Sequence, residues 1–212
     1  MLRLDKLNYK KLSDKDFISI AKKLMFESKL KVNDKYYQLI EIEFYLHNKN
    51  HKDTYTHCNQ DQLNHCSFYF HKFRNGSYKG GTFKGMDMCF GDKDSNTYFG
   101  VLIRSIREIT TQPEISDKCK VSSGPCLVVN KILENYDCEN VETFTNNEII
   151  NMYDNDKDFI LEDCDTIEKE DLYCGPRIGL SDKYPEYRDK HYRFVVGKKN
   201  VKKQVTSLIL CK

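Results

Sequence analysis

Eleven residues, Tyr36–Leu46 (YYQLIEIEFYL), limit what this chain can fold into more than any other stretch. Leu39, Glu41, Glu43 and Tyr45 alternate with Ile40, Ile42, Phe44 and Leu46, and a period of two places the sets on opposite faces of a β-strand. The Ile/Phe/Leu face has to be buried. The other face carries two long acids between a leucine and a tyrosine, which leaves two readings. It is a solvated face, or it is a half-buried cleft in which a desolvated carboxylate becomes a stronger base and can activate water. On the second reading Glu43 is the residue around which the chemistry is organised.

The remaining chain supplies partners for that strand. Asp14–Phe26 spaces Phe17, Ile20, Ala21, Leu24 and Met25 as one helical face, with Ser13 as its N-cap. Residues 47–75 are irregular, polar and rich in histidine and aromatics. The glycine-rich stretch 76–91 predicts a hairpin or two short strands with tight bends. Tyr98–Ile106 predicts a second strand with a buried centre, and Gly124-Pro125 introduces a helix over CLVVNKILENY. The acidic stretch 134–171 is expected to be loop-like, with one short helix around Asn147–Asp154. Gly175–Leu180 and Tyr192–Val196 predict the last strands, separated by a polar turn at Pro185. With 212 residues, 39% of them hydrophobic, and no repeat or linker, the chain is expected to form one α/β domain.

Several function classes are disfavoured. No apolar run approaches the roughly 20 residues of a membrane helix, and the N-terminal MLRLDKLNYKKLSDKDF lacks the apolar core of a signal peptide. The nine cysteines include no C-x-x-C pair, so they are expected as reduced thiols in an intracellular setting, cytoplasmic or nuclear. The net charge of +2 is small but unevenly distributed. Residues 142–171 hold eleven acids against two lysines, whereas 183–203 hold eight Lys/Arg against two acids. That separation can produce a basic face on a nearly neutral protein, or a solvated acidic loop beside a basic hairpin.

Three further features bear on chemistry. His57-Cys58 and His65-Cys66 could belong to a zinc site, but their spacing matches no common zinc module; core cysteines with pocket histidines is the alternative. The glycines between 76 and 91 permit close approach to a phosphate or simply tight turns. Arg104, inside the apolar VLIRSI, requires a carboxylate or phosphate partner, or a structural ion pair.

Taken in order, LIEIEFYL, His57, GSYKGGTFKGMDMC, VLIRSIRE, SSGPCLVVNKIL and PRIGLS followed by EYRDKHYRFVV resemble the alkyladenine (3-methyladenine) DNA glycosylase family over nearly the whole chain. The resemblance implies an α/β (α+β) single domain, a curved, mostly antiparallel sheet flanked by helices. It implies a monomeric hydrolase of base excision repair that binds DNA, not membranes, and needs no cofactor, metal or lysine Schiff base. Glu43 would activate water for attack at C1′ of a modified purine nucleotide, Tyr45 and His57 would sandwich the extruded base, and Arg104 would hold the site or the nucleotide backbone. The chain departs from the family at three places. The wedge tyrosine before the Gly-Met pair is Lys84, the asparagine after the hairpin falls near Gly91, and the T-x-R-N stretch is roughly QLNHCS. These departures leave open an N-glycosidase acting on free nucleotides or single-stranded nucleic acid. They also leave open a non-catalytic nucleic-acid-binding module in which Glu41, Glu43 and Arg104 form an ion-pair network.

Overall fold

A computed structural model describes residues 4–7, 12–109, 121–164, 167 and 170–211. Cys119 and the acidic Asp165 and Glu168 lie outside the described residues. The long strand β2 (Lys35–His47) organises the molecule, as the alternation predicts. It is hydrogen-bonded on one side to β5 (Tyr98–Glu108) and on the other to β10 (Arg193–Val196), so the centre of the strand has no free edge. Beyond β10 come β9 (Leu172–Gly175) and β11 (Ile209–Leu210). Beyond β5 come β4 (Met86–Phe90), β3 (His65–Phe70) and β7 (Ile150–Asn151). The strands β1 (Ser28–Val32) and β8 (Phe159–Asp163) extend from the first half of β2, and β6 (Val121–Ser123) pairs with β5. Every pairing among the described strands is antiparallel. The protein is therefore an α+β domain built on a mostly antiparallel sheet.

The helix α1 (Phe17–Phe26) forms where its spacing predicts, and buries Phe17, Ile20, Ala21, Leu24 and Met25. The Ser13 N–H donates to the Asp16 carboxylate at 2.8 Å, satisfying a donor at its start. Phe17 stacks on Phe44 of β2 with ring centroids 4.5 Å apart, which fixes the helix over the apolar face of the strand. The helix α2 (Pro125–Asn135) starts at a proline, where the missing N–H is no loss, and buries Val128, Val129, Ile132 and Leu133. Both helices pack into one large hydrophobic cluster that includes Ile42, Phe44 and Leu46.

Four expectations are corrected. Residues 65–70, expected to be irregular, form β3. Cys66–Phe70 are all buried, so no polar alternation marked the strand. The short helix lies at α3 (Val141–Thr145), not around Asn147–Asp154, because Asn146 and Asn147 adopt left-handed backbone (φ +48° and +58°) that ends it. The acidic stretch also contains β8, whose Phe159, Ile160 and Leu161 are buried. Near the end, β9 stops at Gly175 rather than continuing to Leu180, and Pro185–Arg188 form a helical turn, α4. Among the described residues no helix is long and apolar enough to cross a membrane.

Candidate active site

The pairing of β2 with β5 is broken twice. Leu39 faces Ile106, Glu41 faces Ser105 and Ile42 faces Ile103, leaving Ile40 on one strand and Arg104 on the other without a paired residue. The bulge at Ile40 puts both Leu39 and Ile40 into the core, so Leu39 leaves the face that simple alternation assigns to it. The bulge at Arg104 turns its guanidinium toward both glutamates, the re-aiming that bulges commonly achieve. Arg104 Nε donates to Glu41 Oε1 at 3.1 Å and Nη1 to Glu43 Oε2 at 3.4 Å.

The two acids are differently held. Glu41 Oε1 also accepts from Arg193 Nε at 2.7 Å, and its Oε2 accepts from Ser105 Oγ at 2.8 Å. Arg193 is fully buried, and its Nη2 donates to the Lys203 carbonyl at 3.0 Å. Glu41 thus ties two arginines and the 198–203 segment to the sheet. Glu43, 0% exposed, has only one charged partner among the described residues, Arg104. Its Oε1 accepts the Ile178 N–H at 2.7 Å and its Oε2 the Tyr45 hydroxyl at 2.9 Å. Burial pushes the Glu43 carboxyl above its ordinary range despite Arg104, the Ile178 N–H and Tyr45. A carboxylate made more basic in this way is suited to accept a proton from water.

Those partners divide between two cavities. Tyr45 lines a cavity of about 120 Å³ together with Tyr55, His57, Gln62, His71, Asp87, Leu102 and Leu180. Arg104 and Ile178 line a wider groove of about 440 Å³, with Glu41, Ser123, Gly124 and the basic trio Lys199, Lys202 and Lys203 along it. Glu43 sits between them, hydrogen-bonded to a wall residue of each. The register explains how. Arg193, Glu43, Leu102, Asp87 and Tyr69 are successive partners across five strands, so their side chains share one face in a single row.

Of the residues singled out by sequence, Tyr45 and His57 meet at the small cavity and Arg104 lines the groove, while buried Glu43 lines neither and reaches both through its hydrogen bonds to Tyr45, Ile178 and Arg104. His57 is at the exposed lip, its ring 4.6 Å from that of His71. Surrounding protein, His71 and Lys79 push its imidazole below the usual histidine range, so it is neutral at pH 7. Lys84 is elsewhere, in a surface groove against α2 with Asn130 and Glu134. Arg177, present in the PRIGLS motif but given no role from sequence, proves central. It pairs with buried Asp53, donates to the Phe44 carbonyl at 2.9 Å and lies 4.4 Å over the Tyr45 ring. The Asp53 pair anchors the loop that carries His57. Also missed were His71, Asp87 and Gln62, whose association depends on strand pairing that no local pattern reveals. Gly91 occupies its position for a steric reason, since a Cβ there would collide with the Gln62 carbonyl. Among the described residues no group of three or more His, Cys, Asp and Glu side chains is placed to hold a metal.

No protein-family model matches the chain. It is similar to a protein of Acanthamoeba polyphaga mimivirus described as uncharacterized, with 41% identity over 219 residues covering 98% of each chain.

Proposed function

The chain belongs to one family with that mimivirus protein, and we propose that it is a hydrolase that cleaves the N-glycosidic bond of a modified purine in DNA. The observation that carries this reading is the position of Glu43, between a small ring-lined cavity and a basic groove. A cavity of about 120 Å³ is smaller than the roughly 300–1,000 Å³ of drug-sized ligand pockets. It suits one flat heterocycle, with sugar and phosphates left outside. Lys199, Lys202, Lys203 and Arg104 along the groove suit the phosphates. The scissile bond would then lie at the junction, next to Glu43. Tyr45, whose ring already bears the Arg177 guanidinium, and neutral His57 are surfaces on which a base can stack.

Lys84 supports a second reading, a single-stranded or free-nucleotide substrate, because it offers no apolar wedge for the gap an extruded base leaves in a duplex. Its neighbour Phe83, however, is 72% exposed, and two residues on, Gly85 packs against the His71 ring of the cavity. Phe83 is thus an exposed aromatic of the required type two residues from Gly85. The test is release of modified purines from otherwise identical duplex and single-stranded oligonucleotides. The glycosylase reading expects release that Glu43→Gln abolishes. It fails if wild-type protein leaves both substrates intact, or if Glu43→Gln is as fast as wild type.

A further inference from the structure

Part of the cavity wall is a segment anchored at both ends and held between them by one side chain. The segment leaves β9 through Arg177, which pairs with Asp53, and Ile178, whose N–H donates to Glu43 Oε1. It is fixed again at Tyr187, whose hydroxyl accepts the Lys52 N–H at 3.0 Å and whose carbonyl accepts from Arg177 Nη2 at 3.1 Å. Between these anchors Leu180 lines the cavity, while residues 181–186 are exposed. Among the described residues, the hydrogen bonds that reach 179–186 from a distant part of the chain both involve the Tyr55 hydroxyl. It donates to the Ser181 carbonyl and accepts the Tyr184 N–H at 3.1 Å. The Tyr55 and Tyr184 rings also meet edge to face, with centroids 5.7 Å apart.

The start of this segment is built to turn. Gly179 has φ +77°, and a Cβ there would meet nothing within 4 Å, so glycine serves the backbone conformation and not a lack of space. Beyond it the exposed residues bury little apolar surface. The Arg188–Asp182 ion pair, with Asp182 in open solvent, contributes little. A stretch with so few buried contacts opens more readily than the sheet it leaves. Tyr55, by contrast, sits on the loop that the Asp53–Arg177 pair anchors, with the Arg177 guanidinium 5.7 Å from its ring. Movement about Gly179 would withdraw Leu180 from the cavity. It would also pull on the preceding residue, Ile178, whose N–H holds Glu43.

We propose that Tyr55 is a positioning residue that latches residues 179–184 over the cavity as a cap, and that closure of the cap sets the Leu180 wall and the Ile178 N–H on Glu43 together. This rests on the glycosylase reading and adds a closing step to it. With the cap shut, a base in the cavity is walled by Tyr45, Tyr55 and Leu180, and both oxygens of Glu43 are held, one by Ile178 and one by Tyr45. With the cap loosened, Glu43 loses the backbone hydrogen bond that helps to keep its carboxyl from rising further. The other charged and titratable groups around Glu43 are Arg104 on β5, Arg193 on β10, Glu41 and Tyr45 on its own strand, and Asp87 two strands away on β4. None of these belongs to the cap, so the cap acts on Glu43 through Ile178.

Single-turnover release of 7-methylguanine and of hypoxanthine from oligonucleotides, followed as a function of pH, tests the latch. Tyr55→Phe keeps the ring and removes both hydrogen bonds. Their backbone partners lie on exposed residues and can turn to water, so the variant should unfold close to the wild-type midpoint. A less stabilised Glu43 carboxylate becomes a base only at higher pH, which moves the acid limb of the rate profile upward. Tyr55→Phe should therefore be about tenfold slower on the acid side, the lower end of what a hydrogen bond to a charged group contributes. On the alkaline plateau it should come within about threefold of wild type. Gly179→Ala strains the hinge without touching Tyr55 and should move the limb the same way, and it carries the test if Tyr55→Phe does not fold. Slowing that is equal at every pH, or an acid limb that stays in place, overturns the latch while leaving the glycosylase reading intact. Wild-type protein that releases neither base defeats both.

Discussion

Glu41→Gln and Glu43→Gln each remove one charge from neighbouring positions on the same face of β2, and their effects on stability should differ sharply. Four charges share this part of the sheet, Glu41, Glu43, Arg104 and Arg193. Glutamine at 41 can keep its hydrogen bonds, with the amide oxygen toward the arginines and the NH₂ toward Ser105 Oγ. What is lost is charge. Arg193 is fully buried, has Glu41 as its acid partner, and among the described residues already holds Nη1 without a hydrogen-bond partner. Breaking a buried pair from one side costs about 3–5 kcal/mol. At about 2–4 °C per kcal/mol for a chain of 212 residues, the midpoint should fall by roughly 6–20 °C.

Glutamine at 43 has a different outcome. Its oxygen can accept the Ile178 N–H, and its NH₂ can face the Tyr45 hydroxyl, which rotates to accept. The lost contact is the 3.4 Å one from Arg104 Nη1, and Arg104 retains Glu41. Against that loss, the amide is free of the desolvation that raises the Glu43 pKa. The expected net change is under about 1 kcal/mol, a midpoint shift within roughly 4 °C. The pH dependence has a definite sign. Because the folded pKa of Glu43 exceeds the ordinary 4.5, its stabilising protonated form is fully present below 4.5 and is lost as pH rises through the folded value. Glutamine does not titrate, so the midpoint of Glu43→Gln relative to wild type should rise from about pH 4.5 toward neutrality. Thermal unfolding by circular dichroism across that range measures both effects. If Glu43→Gln falls as far as Glu41→Gln, or if the difference is flat with pH, Glu43 is another structural member of the network and not a poised base.

Phe83→Ala should weaken release from duplex DNA by about tenfold or more while sparing single-stranded DNA, since only a duplex leaves a gap to fill; parallel rate measurements on the two substrates check this. Replacing Lys202 and Lys203 with alanine should reduce the slope of log affinity against log salt by up to about two phosphate equivalents on duplex DNA, measured by fluorescence anisotropy over a salt series. Arg177→Lys should lower both stability and activity, because lysine cannot pair with Asp53, reach the Phe44 carbonyl and cover the Tyr45 ring together. Unfolding midpoints together with release rates test that outcome.

The residues most legible from sequence were those whose role follows from local periodicity. The alternation through Tyr36–Leu46 located β2 and marked Glu43 as an acid in apolar company. The spacing of Phe17, Ile20, Ala21, Leu24 and Met25 located α1. What local pattern could not convey was anything set by pairing between distant strands. The bulge that aims Arg104 exists only because β2 carries one extra residue between the pairs Leu39/Ile106 and Glu41/Ser105, and β5 one extra between Glu41/Ser105 and Ile42/Ile103. Arg177 is 133 residues from the Phe44 carbonyl it binds. A strand such as β3, buried from Cys66 to Phe70, carries no alternation, and His71 just beyond its end could not be assigned to a partner.

The places where the chain departs from the alkyladenine glycosylase pattern are connected in space. The rebuilt QLNHCS stretch contributes Gln62, which holds Asp87. Gly91, where the resemblance predicts asparagine, is where the Gln62 backbone passes too closely for any side chain. An asparagine there would displace Gln62, and without Gln62 one oxygen of a buried Asp87 would lose its donor, which is costly in a low-dielectric interior. The His71–Asp87 pair also requires Gly85 and Gly100. One rearrangement therefore accounts for the rebuilt loop and the lost asparagine.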